Sequence, residues 1–138
     1  KTKLKVIMRK IAPVLAQNVS DNGKQISDQG VKLYSTFDDE LDEEYHIVIG
    51  EKSIELDPLL LYASLISKEN GIRVIVFVGE EARRYGYHAG KIAKDFSVRL
   101  GGSGGGDSKF GQGGGKFKDK IDEIINLTER YVNTTEIG

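Results

Sequence analysis

The chain contains no cysteine, two histidines and two prolines. The first absence excludes disulfides and thiolate metal sites, and it is compatible with a reducing cytosolic setting. His46 and His88 have no second histidine at ligand spacing, so a zinc site is not expected. A satisfied structural role is the expectation for His88. No serine, histidine and aspartate stand at spacings that suggest a nucleophilic triad. The acids from Asp38 to Glu44 lack the spacing and central glycine of a calcium loop, and read as a solvated turn. No apolar run approaches the roughly 20 residues of a membrane-spanning helix, and no secretory leader is visible. The first residue is Lys1, which reads as a fragment or processed product of something larger.

What remains is a soluble-type composition of 138 residues, 38% hydrophobic and 30% charged, with a formal net charge of −1. The charge is unevenly spread. Between Asp38 and Asp57 nine acids face one base, Lys52. Between Arg83 and Lys118 eight bases (Arg83, Arg84, Lys91, Lys94, Arg99, Lys109, Lys116 and Lys118) face two acids, Asp95 and Asp107. Such blocks often decorate solvated faces, but a basic segment around a glycine-rich stretch suits phosphate attraction.

Apolar residues at Leu4, Ile7, Met8, Ile11, Val14, Leu15 and Val19 predict an amphipathic helix, with Pro13 marking a kink or break. Val31 to Phe37 reads as a strand. Tyr45 to Ile49 reads as a short strand or an irregular excursion. Asp57 as N-cap and Pro58 at a first helical position predict a largely buried helix through Lys68, closed by Asn70-Gly71. Ile72 to Val78 is β-branched and continuously apolar, as in a central strand covered on both faces. His88 to Leu100 and Lys116 to Val132 read as helices. The expected fold is an α/β arrangement: one sheet with packed helices, an N-terminal helical segment over residues 1–29, a globular part over 30–138, and a glycine-rich loop between the last two helices.

That loop holds nine glycines: Gly101, Gly102, Gly104, Gly105, Gly106, Gly111, Gly113, Gly114 and Gly115. A plain flexible linker would not carry Phe110 and Gln112 between its glycine clusters. A dinucleotide fingerprint needs a third glycine five positions after the first. Aspartate or lysine stands there in every frame: Asp107, Lys109, Lys116 or Lys118. A P-loop needs Ser or Thr after Gly115-Lys116 and glycine five residues before Gly115, where Phe117 and Phe110 stand. The glycines therefore serve positive φ or close backbone approach. Beside the predicted helix start at Lys116, their N–H groups suggest a place for anions.

Arg99-Leu100-Gly101-Gly102-Ser103-Gly104-Gly105-Gly106-Asp107, then Phe110-Gly111-Gln112-Gly113-Gly114-Gly115, resembles the carboxy-terminal DHHA1 domain of alanyl-tRNA synthetases, archaeal members in particular. Tyr87-His88-Ala89-Gly90-Lys91-Ile92 fits the same family. Where many relatives carry Arg-Pro-Asp-Met-Ala, this chain has Asp107-Ser108-Lys109-Phe110-Gly111.

The resemblance implies a non-catalytic module that binds the outer corner of alanine-accepting tRNA and helps form a homodimer in the cytoplasm. Activation, aminoacylation and editing, with the ATP, magnesium and any zinc they use, would belong to upstream domains, and no cofactor is expected in this chain. The expected tRNA-binding set is the eight bases with His88, Gln112 and the nine glycines. The alternatives are the substrate-binding domain of a DHH-family phosphoesterase and a long-form alanyl-tRNA editing protein.

Overall fold

A computed structural model of the chain describes residues 2–127, with residues 2–5 as backbone only. It forms one sheet flanked by helices, as the sequence predicts, and the sheet has six strands. The elements run α1 (Thr2–Asp21), β1 (Lys24–Gln25), β2 (Lys32–Asp38), α2 (Glu43–Leu56), β3 (Leu60–Lys68), β4 (Gly71–Val78), α3 (Glu80–Arg84), α4 (Ala89–Arg99), β5 (Ser103–Gly106) and β6 (Phe110–Gly115). A 3-10 turn at Lys118–Lys120 leads into a helix, α5, over residues 121–127. The sheet order is β1-β2-β3-β4-β6-β5; only β2 and β3 pair in parallel, across the α2 connection.

Two cores lie on opposite faces of the sheet. On one, Ile49 and Ile54 of α2 with Ala12 and Val19 of α1 pack on Leu60, Tyr62, Ile66, Ile75 and Phe77. On the other, Ala89, Ile92, Ala93 and Phe96 of α4, with Ile124, cover Ala63, Leu65, Val74, Val76 and Val78. β4 thus has apolar side chains on both faces, which is why it reads as an unbroken apolar run. α1 continues through Pro13.

Three expectations are corrected. Residues 60–68 are strand β3, not a helix: the first seven are buried, and apolar character all round the segment reflects two covered sheet faces. Tyr45–Ile49 lies within helix α2, not in a strand or excursion. Asp42 caps α2 by accepting from the Tyr45 N–H at 3.1 Å, and Glu43 and Glu44 fill the first turn, where acids favour the helix dipole. The glycine segment is not a loop between helices; it is the β5–β6 hairpin, with Ser103 opposite Gly114 and Gly106 opposite Gly111. The last helix consequently starts after Lys120, not at Lys116, and its predicted end at Val132 lies outside the described residues.

Candidate nucleic-acid interface

Glycine is a poor strand former, so a hairpin built from it needs a packing reason. α4 supplies one. A Cβ on Gly111 would strike the Ala89 carbonyl, one on Gly113 the Ser97 hydroxyl, and one on Gly115 the Leu100 carbonyl, each closer than 3.0 Å. On β5, Gly104 would meet the same Ser97 hydroxyl, and from the helix side Gly90 would meet the Gly106 backbone. The helix therefore lies directly on bare peptide. The close approach expected of these glycines is realised, but toward α4.

Positive φ is needed at only two of the nine, Gly101 (81°) and Gly106 (144°). Gly101 ends α4: its N–H reaches the Val98 carbonyl at 3.0 Å and that of Gly102 reaches Ser97 at 2.8 Å, the paired bonds of a Schellman cap. Only at Gly105 does an added Cβ find open space within the hairpin.

Asp107 organises the turn between β5 and β6. Its carboxylate accepts from the N–H groups of Phe110 (2.8 Å) and Lys109 (2.9 Å), which hold its pKa below the ordinary value. The Asp107 and Ser108 carbonyls accept from Gly90 and Ala89, at 2.8 and 3.0 Å. His88 caps α4, its Nδ1 accepting from the Lys91 N–H at 3.1 Å. The first donors of α4 are thus satisfied within the chain, and the His88 ring has a structural task.

The eight basic residues do not form one patch. Lys109 pairs with Glu51 of α2 at 3.7 Å, on the α1–α2 face. Lys91 and Lys94 stand exposed on α4, across the sheet. Arg84 pairs with Glu80 and Glu81 and Arg99 with Asp95 and Glu123, while Arg83 donates to the Val78 carbonyl at 3.3 Å. Lys91, Lys94, Lys116 and Lys118 have no ion pair among the described residues. Gln112 receives Arg73 Nη2 at 3.3 Å.

Sequence reasoning missed a buried polar cluster on the other core. His46 Nε2 lies 2.7 Å from Asp38, and Nδ1 lies 2.8 Å from the Tyr62 hydroxyl and 2.9 Å from that of Ser64. An Asp-His-Ser chain does exist, between residues too far apart in sequence to suggest it. Ser64 is fully buried in β3 and His46 nearly so, which leaves a substrate no approach. The cluster ties α2 to β2 and β3. Among the described residues no group of three or more His, Cys, Asp or Glu is placed to hold a metal ion.

The DHHA1 domain family matches residues 42–134, from the cap of α2 through the glycine hairpin and beyond. The chain belongs to the DHHA1 domain family. Alanine–tRNA ligases are among the relatives of this DHHA1 domain. That of Nitrosopumilus maritimus is 37% identical over 128 residues, covering 90% of this chain and 14% of the ligase; that of Exiguobacterium sibiricum is 27% identical over 128 residues, covering 93% and 14%. The DHHA1 domain thus spans about a seventh of the length of these relatives. Its fold is that of the C-Ala domain of the Aquifex aeolicus alanyl-tRNA synthetase, with a TM-score of 0.70 at 21% identity over 80% of this chain and 97% of that one. No helix among its described residues is long and apolar enough to cross a membrane.

Proposed function

We propose that this DHHA1 domain is an appended tRNA-binding module of an alanine–tRNA ligase in the cytoplasm, working beside catalytic domains that lie elsewhere in the parent enzyme. Kinship with the carboxy-terminal part of these ligases supports the assignment to the enzyme. The observation that carries the binding role is the set Lys91, Lys94, Lys116 and Lys118, four exposed lysines with no carboxylate partner among the described residues. Unpaired lysines are available to replace the counterions of a phosphate backbone, whereas Arg84, Arg99 and Lys109 must first leave their own acids. Such contacts position an RNA without reading its sequence.

The chain is also proposed to self-associate. Of the apolar stripe on α1, Met8 and Val19 are buried in the domain, but Ile7, Ile11 and Val14 are exposed at 56%, 46% and 72%. With Asn18 they follow a 4-3-4 spacing along one line of the helix, the seam of a two-stranded coiled coil, in which a polar residue such as asparagine sets register.

Filter binding of the 138-residue chain to a tRNA transcript across a salt series tests the first role. Retention at low salt, falling steeply as salt rises, is expected. No retention at low salt would remove this reading.

A further inference from the structure

Where the turn after β3, the start of β5 and the end of β6 converge, they enclose an open cleft of about 390 Å³. Its floor is peptide. A Cβ on Gly71 would strike the Gly115 carbonyl, one on Gly102 the Gly114 carbonyl, and one on Gly114 the Ile72 carbonyl. Three backbone segments meet there because none carries a side chain at the crossing, so a ligand would lie against bare amide groups.

Three cations stand on the rim: Lys68, Arg73 and Lys116. One acid answers two of them, since Glu43 lies 3.3 Å from Lys68 and 3.2 Å from Arg73. Lys116 has no ion pair among the described residues, and the four charged groups together leave the cleft at a net +2. Ser103, exposed on the same rim, adds a hydroxyl.

Next to Lys116 stands Phe117, 50% exposed, with its N–H held by the Leu100 carbonyl at 2.9 Å. Its ring covers Gly101 so closely that a Cβ there would lie 2.5 Å from it. A half-exposed ring fixed over glycine beside an unpaired lysine offers a flat stacking surface adjoining a positive cleft.

Resting on the tRNA-binding reading, we propose that this cleft holds an unpaired stretch of the RNA, its phosphates between Lys116, Arg73 and Lys68 and a base stacked on Phe117. Unpaired nucleotides use both halves of the site, cations for the backbone and an aromatic face for the base. A regular duplex keeps its bases stacked inside and would leave Phe117 idle; a simple anion would use the cations alone. Lys68, Arg73 and Phe117 lie outside the residues that sequence patterning selected.

The test uses the 138-residue chain with a labelled oligouridylate, a duplex RNA of the same length, inorganic phosphate as competitor, and a tRNA transcript. Lys116→Gln is expected to lower the slope of log affinity against log salt by about one for oligouridylate and for tRNA, as loss of one phosphate contact does. Phe117→Leu, which keeps an apolar cover on Gly101, is expected to weaken oligouridylate binding about fivefold or more with the salt slope unchanged. Lys24→Gln, exposed on β1 at the opposite edge of the sheet, should leave oligouridylate binding as it was. The proposal is overturned if Lys116→Gln behaves like Lys24→Gln, if the duplex binds as well as the single strand, or if phosphate displaces oligouridylate no less readily from wild type than from Phe117→Leu. Should Phe117→Leu fail to fold, the exposed Lys116→Gln decides alone. Absence of all RNA binding, tRNA included, defeats the underlying reading; tRNA binding untouched by both variants defeats the cleft and leaves that reading intact.

Discussion

The Ser97 hydroxyl occupies the place a side chain would need at Gly113. Ser97 Oγ donates to the Ala93 carbonyl at 2.6 Å inside α4, so it is not free to swing aside, and the Gly104 backbone closes in from β5. Gly113→Ala should therefore destabilise the domain by about 1–3 kcal/mol, the usual cost of overpacking. Gly105→Ala, placed where an added Cβ meets nothing within 4 Å, should stay within about 0.5 kcal/mol of wild type. Thermal denaturation of the pair reads the difference. Equal midpoints would show that α4 does not rest on the hairpin as described.

Sequence patterning located α1, β2 and α4 by their periodicity, and β4 by its β-branched, continuously apolar run. It failed where a segment buried on both faces followed helix-start residues, and where burial was polar. β3 packs Leu60, Tyr62 and Ile66 into one core and Leu61, Ala63 and Leu65 into the other, so its apolar residues imitate a buried helix. α2 turns His46, Gly50 and Ser53 inward, and a search for hydrophobic spacing passes over such residues. Gly50 is needed because a Cβ would enter the rings of Phe77 and Tyr62. The hairpin was hidden for a related reason: its glycines match a surface of α4 that cannot be seen until the helix is placed. Of the site, the sequence signalled Lys116 and the glycines. Lys68 and Arg73 join them only through the β3–β4 pairing that the helix reading had removed.

The cluster around His46 makes a second prediction. Replacing His46 with leucine leaves Asp38, Tyr62 and Ser64 without their shared partner in a buried setting, at a cost of about 2–4 kcal/mol. Tyr62→Phe removes one hydroxyl while Ser64 remains to serve Nδ1, so about 1 kcal/mol is expected. Urea unfolding of both variants measures the two costs. A loss with Tyr62→Phe as large as that with His46→Leu would mean that the Tyr62 hydroxyl, rather than the imidazole shared with Asp38 and Ser64, holds the cluster together.

Stability should fall in two steps as the solution is acidified. Burial pushes the His46 imidazole below its ordinary value, against the upward pull of the hydrogen bond and charge of Asp38 and the charge of Asp42. The unfolded chain then takes up a proton below about pH 6.5 that the folded chain refuses, so stability drops as pH falls through that range. At Asp57 burial works against ionisation, but Lys32, Ser20 and the Leu59 N–H outweigh it and hold the carboxyl below its usual range. Its contribution is present above about pH 4 and is lost as pH falls through the folded value. His46→Gln should flatten the first step and leave the second; Asp57→Asn should do the reverse. Urea midpoints over the acid range decide, and a single step untouched by His46→Gln would refute the assignment.

The exposed line on α1 predicts how self-association would be broken. Ile11 and Val14 lie one helical turn apart, with 46% and 72% of their surfaces open, and neither belongs to either core of the domain. Ile11→Glu with Val14→Glu should leave the melting point nearly unchanged, because solvated positions tolerate charge. In a coiled-coil seam the same change buries unpaired like charges against each other. Sedimentation at rising concentration should show association in the wild type and a monomer in the double variant. Dimers that persist in the variant would move the interface away from α1. A wild type that stays monomeric throughout would remove self-association from this domain while leaving the proposed RNA contacts, on α4 and at the Lys116 cleft, unaffected.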